Sequence, residues 1–308
     1  MDFKQLEYIL MIAEEQNITH AAEKLFISQS ALNQQLLKLE KELGCQLFHR
    51  SRTDWHATKE GEIYIEGARK AMAIRRDTYA RINDSLHSGN TTLRLGLAPG
   101  RGFDLLEGIY PRLHERFPKL SVLPNEMIAH RQIEAVRKGD IDLGYLTLSD
   151  PDRSDDYYID MGKEEVMLVL PVSHPLAQGI DKSTMKLETL DLKEVTDIPF
   201  AVTDSHTTSR ALTDRIFKNA GVSPDILFES TSVRSIVDIV KLGFCGGIVP
   251  AYYLSPEDKQ YLTAFHIPGR PQLDLCIIAR KNSYMTDAAH AFIGLAVDYL
   301  EKHAVVFE

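Results

Sequence analysis

Ser28-Gln29-Ser30-Ala31-Leu32-Asn33-Gln34-Gln35-Leu36, inside the stretch Thr19 to Arg52, decides how the chain is read. Leu32, Leu36, Leu39 and Leu43 recur at steps of four, three and four, which is the spacing of one apolar helix face. The other face carries Gln29, Ser30, Asn33, Gln34, Lys38 and Lys41. A shorter helix from Thr19 through Ala21, Ala22 and Leu25 precedes it, with only Phe26-Ile27 between them. Two helices joined by so tight a turn, the second with amides outward, point to a helix-turn-helix that reads DNA. On these residues alone, a plain helical hairpin with a solvated polar face fits equally well.

The rest of the chain narrows the choice. Its 308 residues are enough for two or three domains, and 44% hydrophobic with 26% charged residues is the balance of a globular protein with real cores. A net charge of −9 excludes a general polyanion binder, so a nucleic-acid surface must be local. Between Lys24 and Lys59, Lys24, Lys38, Lys41, Arg50, Arg52 and Lys59 face only Glu40, Glu42 and Asp54, a modest basic island. The N-terminus lacks the pattern of a secretory signal and no apolar run is long enough for a membrane span. Cys45, Cys245 and Cys276 are too scattered for a disulfide framework or a zinc site. A cytoplasmic protein without a metal or cofactor is expected.

Leu6, Ile9, Leu10 and Ala13 make Asp2 to Gln16 an amphipathic first helix. Thr19 offers a cap to the second helix and Ser28 to the third, and Gly44 ends the third. Leu47 to Thr58 reads as a two-stranded wing, with Arg50 and Arg52 either against a phosphate backbone or on a solvated hairpin.

Ala21-Ala22-x-x-Leu25-x-x-Ser28-Gln29-Ser30-Ala31-Leu32-x-x-Gln35-Leu36-x-x-Leu39-Glu40-x-x-Leu43-Gly44-x-x-Leu47-Phe48-x-Arg50, followed by Thr58-x-x-Gly61, closely resembles the N-terminal signature of LysR-type transcriptional regulators. The resemblance implies an α/β protein with an N-terminal winged helix-turn-helix, a long linker helix and a two-subdomain effector domain similar to periplasmic binding proteins. It implies double-stranded DNA with an inverted-repeat operator, a small-molecule effector, and a homodimer or homotetramer. Base readout then falls to Gln29, Ser30, Asn33 and Gln34, and backbone positioning to Thr19, Ser28, Lys38, Arg50 and Arg52. The chain departs from the family where Pro is usual at Ser30, Ser at Asn33, and often Arg or Lys at Gln34 and Leu37. Fewer cations imply weaker salt dependence, and amides such as Asn33 and Gln34 suit adenine edges.

From Thr58 to Ser88 the pattern is one long helix, roughly 45 Å at 1.5 Å per residue. Ile65, Ala68, Met72, Arg75, Tyr79, Ile82 and Leu86 step by threes and fours, a coiled-coil seam with only Arg75 polar. Pairing of Ile65, Ala68, Met72, Tyr79, Ile82 and Leu86 with a second chain would put two recognition helices on successive half-sites. Packing of the same seam on the chain's own effector domain is the alternative. The divisions expected are 1–58 for the winged domain, 59–89 for the linker and 90–308 for the effector domain.

After a hinge at Ser88-Gly89-Asn90, strands alternate with helices as in an α/β fold. Strands are expected at Leu93–Ala98, Leu120–Leu123, Val166–Pro171, Pro199–Val202, Leu227–Glu229, Gly247–Val249 and Gln272–Arg280, and the run from Gly139 to Leu146 is a turn leading into a further one. Gly139-Asp140-Ile141-Asp142-Leu143 and Ser173-His174-Pro175-Leu176 are also similar to LysR effector-domain signatures. By that likeness subdomain I covers 91–163 and 268–303 and subdomain II covers 164–267. The cleft between them takes its floor from strand ends and helix starts, the runs Pro99-Gly100-Arg101-Gly102, Leu146-Thr147 and Thr203-Asp204-Ser205-His206-Thr207-Thr208, with Pro99, Gly100, Arg101, Thr147, Thr203, Ser205 and His206 as the candidate effector contacts. Helix N-termini with Arg101 and His206 nearby suit a small carboxylate, although Asp204 opposes an anion and Ser205 fits equally well as a helix cap. Where the family often has Ser or Thr, Ile128 makes the pocket more apolar.

Enzyme signatures are missing. Gly100-Arg101-Gly102 is not a dinucleotide fingerprint, no Gly-x-Ser-x-Gly elbow occurs, and the 11 histidines form no His-x-x-x-His pair. Cys245 reads as a buried structural thiol, away from where peroxide-sensing relatives carry theirs. Two other classes stay open on the sequence: a ligand scavenger whose N-terminal domain serves only assembly, and an enzyme of another type using the cleft.

Overall fold

The computed structural model describes residues 2–50, 55–86, 92–149, 156–178, 187–195 and 197–302, and the chain divides into two units, Met1–Ser88 and Gly89–Glu308. In the first unit, α1 (Phe3–Glu15) opens on Asp2, whose carboxylate accepts from the Lys4 N–H. α2 (Ile18–Lys24) starts earlier than expected. Its cap is Asn17, whose Oδ1 accepts from the N–H groups of Thr19 and His20 at 2.8 and 3.2 Å. One carboxamide satisfies two orphan donors, so Thr19 sits inside the helix instead of capping it.

α3 (Gln29–Leu43) behaves as its sequence dictates at both ends. Ser28 Oγ accepts from the Ala31 N–H at 3.2 Å, and Gly44 closes the helix at φ 75°. Leu32, Leu36 and Leu39 join Ile9, Ile12, Ala21 and Phe48 in the core, but Leu43 is 45% exposed because the last turn outruns that core. β1 (Phe48–Arg50) and β2 (Trp55–Ala57) form the antiparallel wing, with His49 opposite His56 and Arg50 opposite Trp55. Arg52 lies outside the described residues.

α4 (Lys59–Ser85) begins at Thr58, whose Oγ1 accepts from the Gly61 N–H at 2.9 Å. A Cβ on Gly61 would stand 1.9 Å from the Leu47 carbonyl oxygen, so only glycine lets the helix cross the wing there. The expected seam divides in two. Ile65 belongs to the core of its own unit, Ala68 is fully buried, and Arg75 pairs with Glu7 of α1 at 3.1 Å and lies over the Phe3 ring. Tyr79, Ile82 and Leu86, past the end of α1, are exposed.

The second unit is wound from β3 (Thr92–Leu97), α5 (Arg101–Arg116), β4 (Ser121–Glu126), α6 (Ala129–Lys138), β5 (Leu143–Leu148) and β6 (Tyr157–Pro171). There follow α7 (Pro175–Gln178), β7 (Phe200–Thr203), α8 (Thr208–Ala220), β8 (Ile226–Ser230) and α9 (Val233–Lys241). β9 (Gly246–Pro250), β10 (Leu262–His266), β11 (Gln272–Ala279) and α10 (Asp287–Lys302) complete it. The strand order is β4-β3-β5-β11-β6-β9-β7-β8, with β10 also on β6. β3 runs parallel to β4 and β5, and β7 parallel to β8 and β9.

β6 joins these two parallel sets. Its residues Tyr157 to Glu165 pair with β11, and from Val166 onward it pairs with β9 and β10 instead. The partner change makes two lobes, one with its core on β3, β5 and α10, the other on β6, β7 and β9. No helix among the described residues is long and apolar enough to cross a membrane.

Candidate functional site

The polar face of α3 is open. Gln29, Ser30, Gln34 and Lys38 are exposed, as are Thr19 and Ser28 at the helix starts, while Asn33 is half-buried. Arg50 is not the spare cation that its position in the wing implied. It forms an ion pair with Glu40 and lies 5.7 Å from the Trp55 ring centre. Glu40 is only 7% exposed and also accepts from the Leu47 N–H at 2.9 Å, so it needs a cation beside it. Arg50 therefore fastens the wing to α3, and its charge is largely matched.

In the second unit the parallel strands of both lobes end on one cavity of about 570 Å³, its open mouth included. Pro99 and Arg101 follow β3, Ile128 and Ala129 follow β4, and Thr147 lies in β5. From the other lobe come Thr203 of β7, Thr207 and Thr208 at the start of α8, Thr231 and Val233 at the start of α9, and Tyr253. Ligands of open α/β sheets sit at such carboxyl ends, where helix N-termini also converge.

Residues 87–301 match the family model of the LysR substrate binding domain, and residues 3–62 that of the bacterial regulatory helix-turn-helix protein, lysR family. The chain belongs to the LysR family of transcriptional regulators. It is 29% identical over 276 residues to the HTH-type transcriptional regulator BenM of Acinetobacter baylyi, covering 89% of this chain and 86% of BenM. To the DNA-binding transcriptional dual regulator OxyR of Escherichia coli it is 26% identical over 264 residues, 84% of this chain and 82% of OxyR. In fold it is similar to a full-length OxyR variant of Pseudomonas aeruginosa, with a TM-score of 0.70 at 21% identity over 98% of this chain and 95% of that one. A second likeness is to full-length CbnR complexed with its target DNA, with a TM-score of 0.59 at 22% identity over 96% and 99% of the two chains. The helix-turn-helix is thus the DNA-binding part of a regulator, and the second unit its effector-binding domain.

Within this LysR effector domain the expected lining is only partly assembled. Pro99, Arg101, Thr147 and Thr203 reach the cavity, whereas Gly100, Ser205 and His206 are not among its lining residues. The Gly100 N–H donates to Glu126 Oε1 at 2.9 Å. Ser205 and His206 are exposed and close on their own loop: Asp204 Oδ1 accepts from the His206 N–H at 2.9 Å and stands 3.0 Å from its Nδ1. Those bonds hold the Asp204 carboxyl below the usual range. The α8 cap is Thr207, whose Oγ1 accepts from the Arg210 N–H at 3.1 Å. Thr207 and Thr208, the end of the run expected before this helix, do line the cavity, whereas sequence reading missed Thr231 and Tyr253.

Arg101 is not a solvent-facing anion receptor. It is 4% exposed, paired with Glu164, and 4.4 Å from the Tyr252 ring centre. Burial opposes its charge, but Glu164 beside it raises its pKa overall. Its Nε is buried without a protein partner. Around it the lobes are bridged: the Tyr252 N–H donates to Glu164 Oε1 at 2.9 Å, Tyr252 Oη to Asp104 at 2.7 Å, and Tyr253 Oη to the Pro99 carbonyl at 3.1 Å. Burial pushes the Tyr253 hydroxyl up to about 12, so it stays a donor.

Proposed function

We propose that this regulator binds an inverted-repeat operator as a dimer or tetramer and that a small carboxylate in the interlobe cavity resets its DNA geometry. It works in the cytoplasm, beside the chromosome. Gln29, Ser30, Asn33 and Gln34 read base edges; Thr19, Ser28, Lys38 and Arg52 hold the backbone, with Arg50 reduced to a shared role. The exposed half of the α4 seam, Tyr79, Ile82 and Leu86, meets a second chain.

One observation carries the ligand class. α6 opens on the cavity with Ile128 at its cap position, and no side chain caps it. An apolar cap leaves the first N–H groups of a positive helix end to whatever enters the cavity, and a carboxylate supplies the acceptors. Thr203, Thr208 and Thr231, which line the cavity from the other lobe, supply hydroxyls for the second oxygen. A ligand touching both lobes favours the closed arrangement, which is what shifting a population requires.

The test is a thermal-shift screen of small carboxylates against their primary amides on the full-length chain. Acids that raise the melting temperature while their amides do not are expected. Amides performing as well as acids would remove the basis for the ligand class.

A further inference from the structure

We infer that Phe26, in the turn between α2 and α3, is a DNA-contacting residue whose ring seats on deoxyribose at the lip of the groove entered by α3. This rests on the reading of α3 as the groove-entering helix.

The turn closes α2 by a pair of reversed bonds. The Phe26 N–H donates to the Glu23 carbonyl at 3.0 Å, and the Ile27 N–H reaches back to the Ala22 carbonyl at 3.0 Å. That closure forces the residue between into the left-handed region, and Phe26 stands at φ 55°. Glycine or asparagine fills such a position at little cost, whereas a bulky side chain crowds the backbone. The fold gains nothing in return. Phe26 is 95% exposed, the most open large apolar side chain among the described residues, while Leu25 and Ile27 on either side pack against the core.

Its position explains what the isolated unit does not. Phe26 precedes the Ser28 cap by two residues, at the same end of α3 as Gln29, Ser30 and Asn33. When a recognition helix enters the major groove by its N-terminus, the turn before it passes over the groove edge. What an uncharged ring meets there is the C–H surface of the sugars between phosphates. A ring wholly in water when free then loses that exposure on binding, and the apolar gain appears only in the complex. Sugar carries no sequence information, so the contact adds affinity to every duplex alike.

The experiment uses full-length chain, a duplex selected by that chain from a random pool, and an unselected random duplex. Phe26→Gly and Phe26→Asn are expected to raise the melting temperature of the free protein, because both tolerate positive φ. Both are expected to weaken binding to the two duplexes by a similar factor, roughly tenfold, the equivalent of about 1.4 kcal/mol. Phe26→Trp, which keeps a ring, should retain parental affinity. The inference is overturned by parental affinity in Phe26→Gly, by a lower melting temperature in that variant, or by a loss confined to the selected duplex, which would mean a base contact. A parent that selects no duplex would instead sink the DNA reading on which the inference rests.

Discussion

At the scale of the residue, the Arg101–Glu164 pair stands at the cavity wall, with Arg101 in its lining. A buried ion pair is costly to desolvate and stabilises little as a whole, but removing one member leaves a buried charge without its counterion. Glu164→Gln should therefore lower the stability of the unliganded effector domain by about 3 kcal/mol. The same change uncovers a full positive charge on a residue that lines the cavity, so a carboxylate should raise the variant's melting temperature by more than it raises the parent's. Paired melts with and without the acid check both signs. A smaller acid-induced shift in the variant would mean that Arg101 serves only to bridge the lobes. The sequence made Arg101 legible as a cleft residue, since it stands between a strand end and a helix start. Its partner lies 63 positions further on, in a strand that crosses both lobes, and no local spacing announces such a pairing. Arg50 and Glu40 teach the same lesson at shorter range: charge type was readable, and the counterion that occupies it was not.

Elements were most legible where one period had one possible neighbour. The apolar face of α3 and its Ser28 and Gly44 ends follow from residue spacing and cap chemistry alone. The α4 seam was readable as apolar, but periodicity does not name the partner; the first half covers α1 and the core of its own unit, and only the second half is left open. The first half of β6 was missed because Tyr157 to Glu165 is largely polar and bends at Gly162, opposite the register shift in β11. β10, a short strand beside it, gave no distinct signal among its neighbouring loops. α6 supplies the prediction at this scale. Ile128→Ser would give the helix an internal acceptor, stabilising the unliganded domain by about 1 kcal/mol. That hydroxyl would compete with a bound carboxylate for the same N–H groups, so ligand affinity should fall as stability rises. Calorimetric titration with an acid found in the screen, alongside melting of the free variant, separates the two effects. A gain in both would place the carboxylate somewhere other than the start of α6.

Across the whole molecule, the question is how a chain of net charge −9 holds a polyanion. Long-range attraction is unavailable to it, and even its basic island is partly spent: Lys24 pairs with Glu15 and Arg50 with Glu40. On the proposed reading, phosphate neutralisation falls mainly to Lys38 and Arg52. Taking these two from each protomer of a dimer gives roughly four neutralised phosphates, and a plot of log binding constant against log salt should have a slope of about −4. On the same reading, affinity beyond that comes from contacts that release no counterions, the amides of Gln29, Asn33 and Gln34 and the ring of Phe26. Such contacts survive added salt, so discrimination between selected and random duplexes should widen only slightly as salt is raised, while absolute affinity falls gently. Anisotropy titrations over a salt series measure both quantities. A slope of about −5.5 would require one further cation from each protomer. It would then follow that Glu40 releases Arg50 to the backbone on binding, and Glu40→Gln should leave that steep slope unchanged.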